Sequence, residues 1–277
     1  MVALSVRNDL DGRSNMGRET HLVPLSWEPA TLRWEEVRPG VWEPLDYLWP
    51  VAAPETGKVE RNTALPFADR LQYKNDAFYD DFSASSLHPE WNFRRVPTEK
   101  TYSLTTNKNH LRLNLQPQTI QMRGRCSLLG IRQKESDFDY EVSMDFDPRQ
   151  ELEEAGISHF QKDDNYLNYT LIRENGATVL QLAVKEREQE PQIVAKTTLN
   201  DYRGSIQLKL VSRHNQYQYL YSLDGGLTFI ELIRTEARAL LSNGYTGAYL
   251  GLYASSNGNA SDGFADFDRV HYKGFQR

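Results

Sequence analysis

Few residues in this sequence combine the type and the spacing that chemistry requires. The single cysteine, Cys126, stands close to Leu128 and Leu129. A thiol there is either a nucleophile or an inert apolar side chain, and its neighbours favour the second. His88, His110, His159, His214 and His271 show no metal-ligand spacing, which argues against a metalloenzyme. The run Ser222-Leu223-Asp224-Gly225-Gly226-Leu227-Thr228-Phe229 fits a hairpin motif that propellers repeat blade after blade. It occurs once here, so it reads as a single turn tied down by its Asp and Thr. Arg123 and Arg125 flank Gly124; they read either as an anion site or as surface arginines in a loop. Asp80 and Asp81 near one end, and Asp266 and Asp268 near the other, meet if the first and last strands of that region pair. Such carboxylates either hold a structural calcium ion or bond to turn amides. No other cofactor is expected.

The elements that must position these groups are strands. From Phe78 onward apolar residues alternate with polar ones at period two, the mark of half-buried strands. The pattern runs through Leu111, Leu113 and Leu115; Tyr140, Val142, Met144 and Phe146; Leu167, Tyr169 and Leu171; and Leu180, Leu182 and Val184. It continues through Ile206, Leu208 and Leu210, then Tyr217, Tyr219 and Tyr221, then Ala248, Leu250 and Leu252, and ends over Ala265 to Tyr272. The only helical candidates are short, Gln150 to Ala155 and Thr235 to Leu241. Many strands with turns between them predict an all-β chain folded as an antiparallel β-sandwich, with a closed barrel as the rival.

The first 60 or so residues differ. Trp27, Trp34, Trp42 and Trp49 crowd there among Pro24, Pro29, Pro39, Pro44, Pro50 and Pro54, leaving one later tryptophan, Trp91. The prolines exclude a long helix. Val2 to Arg7 and His21 to Trp27 are the plausible strands, and two short strands cannot bury a core of their own.

Composition bounds the function. The 277 residues carry 32 Lys+Arg against 38 Asp+Glu, a formal net charge of −6. That balance argues against nucleic acid and anionic lipid as partners, since both reward a basic face. No apolar run is long enough to cross a bilayer, and one cysteine cannot make an intrachain disulfide. The opening Met-Val-Ala-Leu-Ser-Val-Arg does not read as a signal peptide. The compartment stays open.

Three segments, in order along the chain, carry a resemblance. They are Asn15-Met16-Gly17-Arg18-Glu19-Thr20; Asp80-Asp81-Phe82 with Leu87, Pro89, Trp91, Arg95, Pro97, Tyr102, Ser103 and Leu104; and Tyr245-Thr246-Gly247-Ala248-Tyr249-Leu250-Gly251-Leu252, closed by Ala265-Asp266-Phe267-Asp268. Together they resemble the β-xylosidases and α-L-arabinofuranosidases of glycoside hydrolase family 43 that carry a C-terminal concanavalin A-like sandwich. The resemblance implies a remnant of the catalytic β-propeller and linker over 1–60 and a concanavalin A-like sandwich (jelly roll) over 74–277. It also implies that the chain starts inside the last propeller blade.

The family's inverting hydrolysis uses an Asp base, a Glu acid and a further Asp, all on earlier blades. Inversion needs acid and base on opposite sides of the scissile bond, and Asp9, Asp11 and Glu19 have no partner blades to face. No catalytic residue is therefore assigned. Two substrate-binding residues follow from the resemblance. Arg18 matches an arginine that reaches the bottom of the sugar pocket; otherwise it is an arginine paired at a blade edge. Tyr245 aligns with a phenylalanine that the sandwich inserts at the mouth of the active site; otherwise it is a strand-entry tyrosine. The expected partners are a xylo- or arabino-oligosaccharide and the missing propeller of the parent enzyme. The function implied is an accessory sandwich that braces the propeller and shapes the substrate entrance. A free-standing carbohydrate-binding module and an inert domain from a truncated gene are the alternatives.

Overall fold

The computed structural model describes residues 1–8, 12–29, 33–45, 48–60, 63–64, 77–98, 100–241 and 245–275. The chain divides into two compact units, one of Met1–Arg7 with Arg18–Lys74 and one of Asn8–Gly17 with Asn75–Arg277. Residues Asn8–Gly17, expected with the N-terminal remnant, thus group with the sandwich.

The first unit is a set of short ribbons. Strands β1 (Val2–Val6) and β2 (Arg18–Leu22) pair antiparallel, β3 (Leu25–Pro29) pairs with β6 (Leu48–Ala52), and β4 (Arg33–Arg38) pairs with β5 (Val41–Leu45). The single strand expected over His21 to Trp27 is broken between Leu22 and Leu25. Pro24 lies in the break and has no N–H to give a ladder.

The second unit is a two-sheet sandwich. Its strands are β7 (Ala77–Asp80), β8 (Asn92–Phe93), β9 (Tyr102–Ser103), β10 (Leu111–Asn114), β11 (Ser127–Arg132), β12 (Asp137–Phe146), β13 (Glu154–Lys162) and β14 (Asn165–Glu174). They continue with β15 (Ala177–Glu186), β16 (Gln192–Thr198), β17 (Ser205–Arg213), β18 (Gln216–Ser222), β19 (Ile230–Glu236), β20 (Tyr249–Ser255) and β21 (Phe264–Phe275). One sheet has the order β19-β18-β17-β12-β21-β10-β9 with β7 added on β21; the other has the order β16-β15-β14-β13-β20-β11-β8. The core lies between them. Leu113, Tyr140, Leu208, Tyr219 and Phe267 of the first sheet join Ile157, Leu167, Tyr169, Leu182 and Leu250 of the second in one buried cluster. The Tyr169 and Tyr219 rings meet edge to face across it, centroids 5.2 Å apart.

Two departures from the sequence reading have local causes. The helix expected over Gln150 to Ala155 is a turn followed by the start of β13. Leu152 has φ +68°, which a right-handed helix does not admit. The carboxylate of Glu153 accepts the Arg149 and Gln150 N–H groups at 2.7 and 3.0 Å, closing that turn. Thr235 to Leu241 splits into the end of β19 and a 3-10 turn over Ala237–Leu240. In β21 the register against β12 slips by one residue near Asp268, so Ala265 and Phe267 before it, and Val270 and Tyr272 after it, are all buried.

Candidate substrate-entrance loop

The loop that carries Tyr245 leads directly into β20. Residues 242–244 lie outside the described residues. Tyr245 is 71% exposed, so most of its surface is presented to whatever approaches this end of the sandwich. Three residues on, at Ala248, the chain is held tightly. The Ala248 N–H donates to the Asn15 carbonyl at 2.7 Å, and the Gln133 N–H donates to the Ala248 carbonyl at 3.0 Å. Ser14, Asn15 and Met16 are buried although they belong to a short irregular stretch. Asn15 Nδ2 donates to the Tyr217 hydroxyl at 3.1 Å and Arg132 Nη2 donates to the Met16 carbonyl at 2.9 Å.

Two glycines permit this approach. A Cβ on Gly17 would lie 2.3 Å from the Gly247 nitrogen, and one on Gly247 would lie 2.3 Å from the Met16 oxygen. Gly17 also sits at φ +66°, the left-handed region that favours glycine. Beneath them His159 is fully buried, packed against Phe138 and Tyr217, with Nε2 2.8 Å from Gln133 Oε1. Burial pushes its pKa down to about 3, so the ring is neutral.

Arg18 is the first residue of β2, exposed and opposite Val6, in the hairpin unit rather than the sandwich unit. Its neighbour Glu19 makes a two-pronged ion pair with Arg7, at 2.7 and 2.9 Å. Asp9 and Asp11 lie outside the described residues.

Asp80, Asp81, Asp266, Cys126 and Asp224 are accounted for locally. The first and last strands of the sandwich pair, but Asp80 stands opposite Val270 and Asp266 opposite Arg112. Asp80 accepts the Trp91 indole N–H and the Phe82 N–H, each at 2.8 Å. Asp81 accepts from Ser83 at 2.6 and 3.1 Å. The Arg112 guanidinium grips both oxygens of Asp266 at 2.8 and 2.7 Å, with Asn107 adding a third donor at 2.9 Å. Asp266 is thus paired with a guanidinium and accepts three side-chain donors, and Asp80 and Asp81 accept from donors near them in the chain. Among the described residues no group of three or more His, Cys, Asp and Glu could hold a metal. Cys126 is buried and burial pushes its thiol up, which makes it a poor nucleophile. The Asp224 turn is as read. Hydroxyl donation from Ser222 at 2.6 Å and amide donation from Thr228 at 2.9 Å hold its carboxyl down at about 2.

Sequence reasoning missed one cleft, of about 150 Å³, whose walls include Asp145, Asp147, Arg149, Gly204, Phe264 and Asp266. Its residues come from the end of β12 and the chain just after it, and from the starts of β17 and β21, where Asp145 and Asp147 look like the solvated face of any alternating strand. Arg112 lies 3.5 Å over the Phe264 ring, so one aromatic wall is already covered by a cation.

Comparison with known proteins decides the family. The family described as the beta xylosidase C-terminal concanavalin A-like domain matches residues 79–273. The chain belongs to this family. A Butyrivibrio fibrisolvens "Xylosidase/arabinosidase" is 28% identical over 270 residues, covering 96% of the chain and 48% of the relative. A Bacteroides ovatus "Non-reducing end alpha-L-arabinofuranosidase" is 24% identical over 275 residues, covering 98% of the chain and 48% of the relative. The chain thus spans about half the length of these curated relatives. In solved structures, a Bacteroides ovatus protein described as Xyloglucan PUL GH43B superposes at a TM-score of 0.81, with 24% identity, 99% of this chain and 51% of that one. The BlXynB protein of Bacillus licheniformis does so at 0.80, with 24% identity, 99% of this chain and 50% of that one. These two share the fold. As a member of the family, the chain is the accessory concanavalin A-like part of family 43 proteins. Among the described residues no helix is long and apolar enough to cross a membrane.

Proposed function

We propose that the chain works as the accessory part of a glycoside hydrolase acting on xylosidic or arabinosidic bonds, with a xylo- or arabino-oligosaccharide as the ligand of the whole enzyme. The carrying observation is the family match over 79–273 in a chain that spans 48% of its xylosidase and arabinosidase relatives. The sandwich braces the propeller and Tyr245 edges the substrate entrance; its 71% exposure presents the ring for stacking on a sugar. Arg18 is the substrate-facing residue of the propeller remnant over 1–60, by its place in Gly17-Arg18-Glu19-Thr20. Four tryptophans of that remnant are at least half exposed, as expected of blades that need neighbours to cover them.

On this reading the chain alone performs no hydrolysis. The purified chain is expected to release no p-nitrophenol from p-nitrophenyl β-xyloside or α-L-arabinofuranoside. Release at an enzymatic rate, persisting after repurification, overturns the assignment of chemistry to the other half. Retention on a xylan affinity gel by the chain alone would instead favour a free-standing carbohydrate-binding module.

A further inference from the structure

We infer that Asn15, Met16 and Gly17, clamped by Arg132, form a strap that positions the Tyr245 loop. The proposal rests on the reading of Tyr245 as an entrance residue and adds the residues that hold it in place. The contacts close a circuit around Ala248. Its N–H donates to the Asn15 carbonyl; Asn15 Nδ2 donates to the Tyr217 hydroxyl at 3.1 Å. The Tyr217 ring lies 5.0 Å from that of His159, His159 Nε2 meets Gln133 Oε1 at 2.8 Å, and the Gln133 N–H returns to the Ala248 carbonyl at 3.0 Å. Outside the circuit, Arg132 holds the Met16 carbonyl and the Gly17 backbone presses on Gly247 with no room for a Cβ.

The design is economical in sequence. The residues it grips, Gly247 and Ala248, lie two and three residues after Tyr245. The contacts therefore anchor the chain close to Tyr245, all within the sandwich unit. A loop residue must be held within a fraction of an ångström to shape a pocket, and loop tips lack that rigidity unless tied down.

The test uses the 277-residue chain and needs no substrate. Tyr245→Cys is labelled with a fluorophore in a Cys126→Ser background, and label anisotropy is read beside hydrogen exchange of the peptide containing Ala248. Arg132→Met is expected to speed Ala248 exchange at least tenfold and lower the anisotropy, leaving exchange in β14 and the urea midpoint near those of the parent. Arg132→Lys, which keeps a donor for Met16, is expected to restore both. Gly17→Ala is expected to loosen the loop further. Unchanged exchange and anisotropy in Arg132→Met overturn the strap, as does loosening that spreads to β14 equally. The entrance reading fails separately, if Tyr245→Ala leaves KM unchanged in the chain joined to a catalytic half.

Discussion

The two units of this chain spend their aromatic residues in opposite ways. In the sandwich Tyr140, Tyr169, Tyr217, Tyr219 and Tyr272 are fully buried. In the N-terminal ribbons Trp27, Trp34, Trp42 and Trp49 are 60, 59, 57 and 50% exposed. The difference follows from layer count. Two facing sheets enclose an apolar space that every inward side chain can share, whereas a two-stranded ribbon has two faces and no second layer of its own. The sandwich therefore encloses a core of its own, and the ribbons leave their tryptophans exposed.

That contrast can be broken most directly in the core. Phe267→Ala, at a position with no solvent exposure, is expected to cost about 3–5 kcal/mol in urea denaturation. A loss under about 1 kcal/mol would mean that the two sheets do not share one packed interior. A smaller effect should appear with acid. His159 has a pKa pushed down to about 3 by burial, while the unfolded chain carries it near its ordinary value of about 6.5. Between these values the unfolded state binds the extra proton, so stability falls as pH drops through that window and is unaffected above it. The His159 contribution should amount to about 2–3 kcal/mol lost by pH 4.5 at about 1.4 kcal/mol per pKa unit. The difference in pH slope between the parent and His159→Gln measures it, and equal slopes would place a charged histidine inside the fold. The smallest effect belongs to the ribbons. Trp34→Ala together with Trp42→Ala should shift the unfolding free energy of the chain by no more than about 0.5 kcal/mol. A larger loss would show that these rings support the chain's own stability.

Legibility followed alternation. Strands with one buried and one wetter face, such as β10 and β17, with burial alternating residue by residue, could be read directly. Of the strands covered on both faces, β14 and β20 were still legible, but β11 and β13 were not. All but the last residue of β13 is buried, and so is all of β11 up to its final Arg132, so neither shows period two. The false helix at Gln150 arose because Glu151, Glu153 and Glu154 resemble a helix start, while the left-handed Leu152 that forbids one has no signature in sequence. Tyr245 and Arg18 were reached only through family resemblance. The strap was invisible for a different reason: Asn15-Met16-Gly17 is an ordinary short run, and its partners Arg132, Tyr217 and Gly247 are distant in the chain.

The class of fold was legible along the chain, because side-chain period and turn chemistry are local properties that survive without a partner strand. The sequence also marked the division between a tyrosine-rich region and a tryptophan- and proline-rich one. Tertiary structure alone decided that Asn8–Gly17 joins the sandwich. It also decided that Asp266 pairs with Arg112 and that Gly17 meets Gly247. Each of these depends on residues that stand far apart in the chain. The free energy of such a contact depends on burial and geometry that no local window of residues contains.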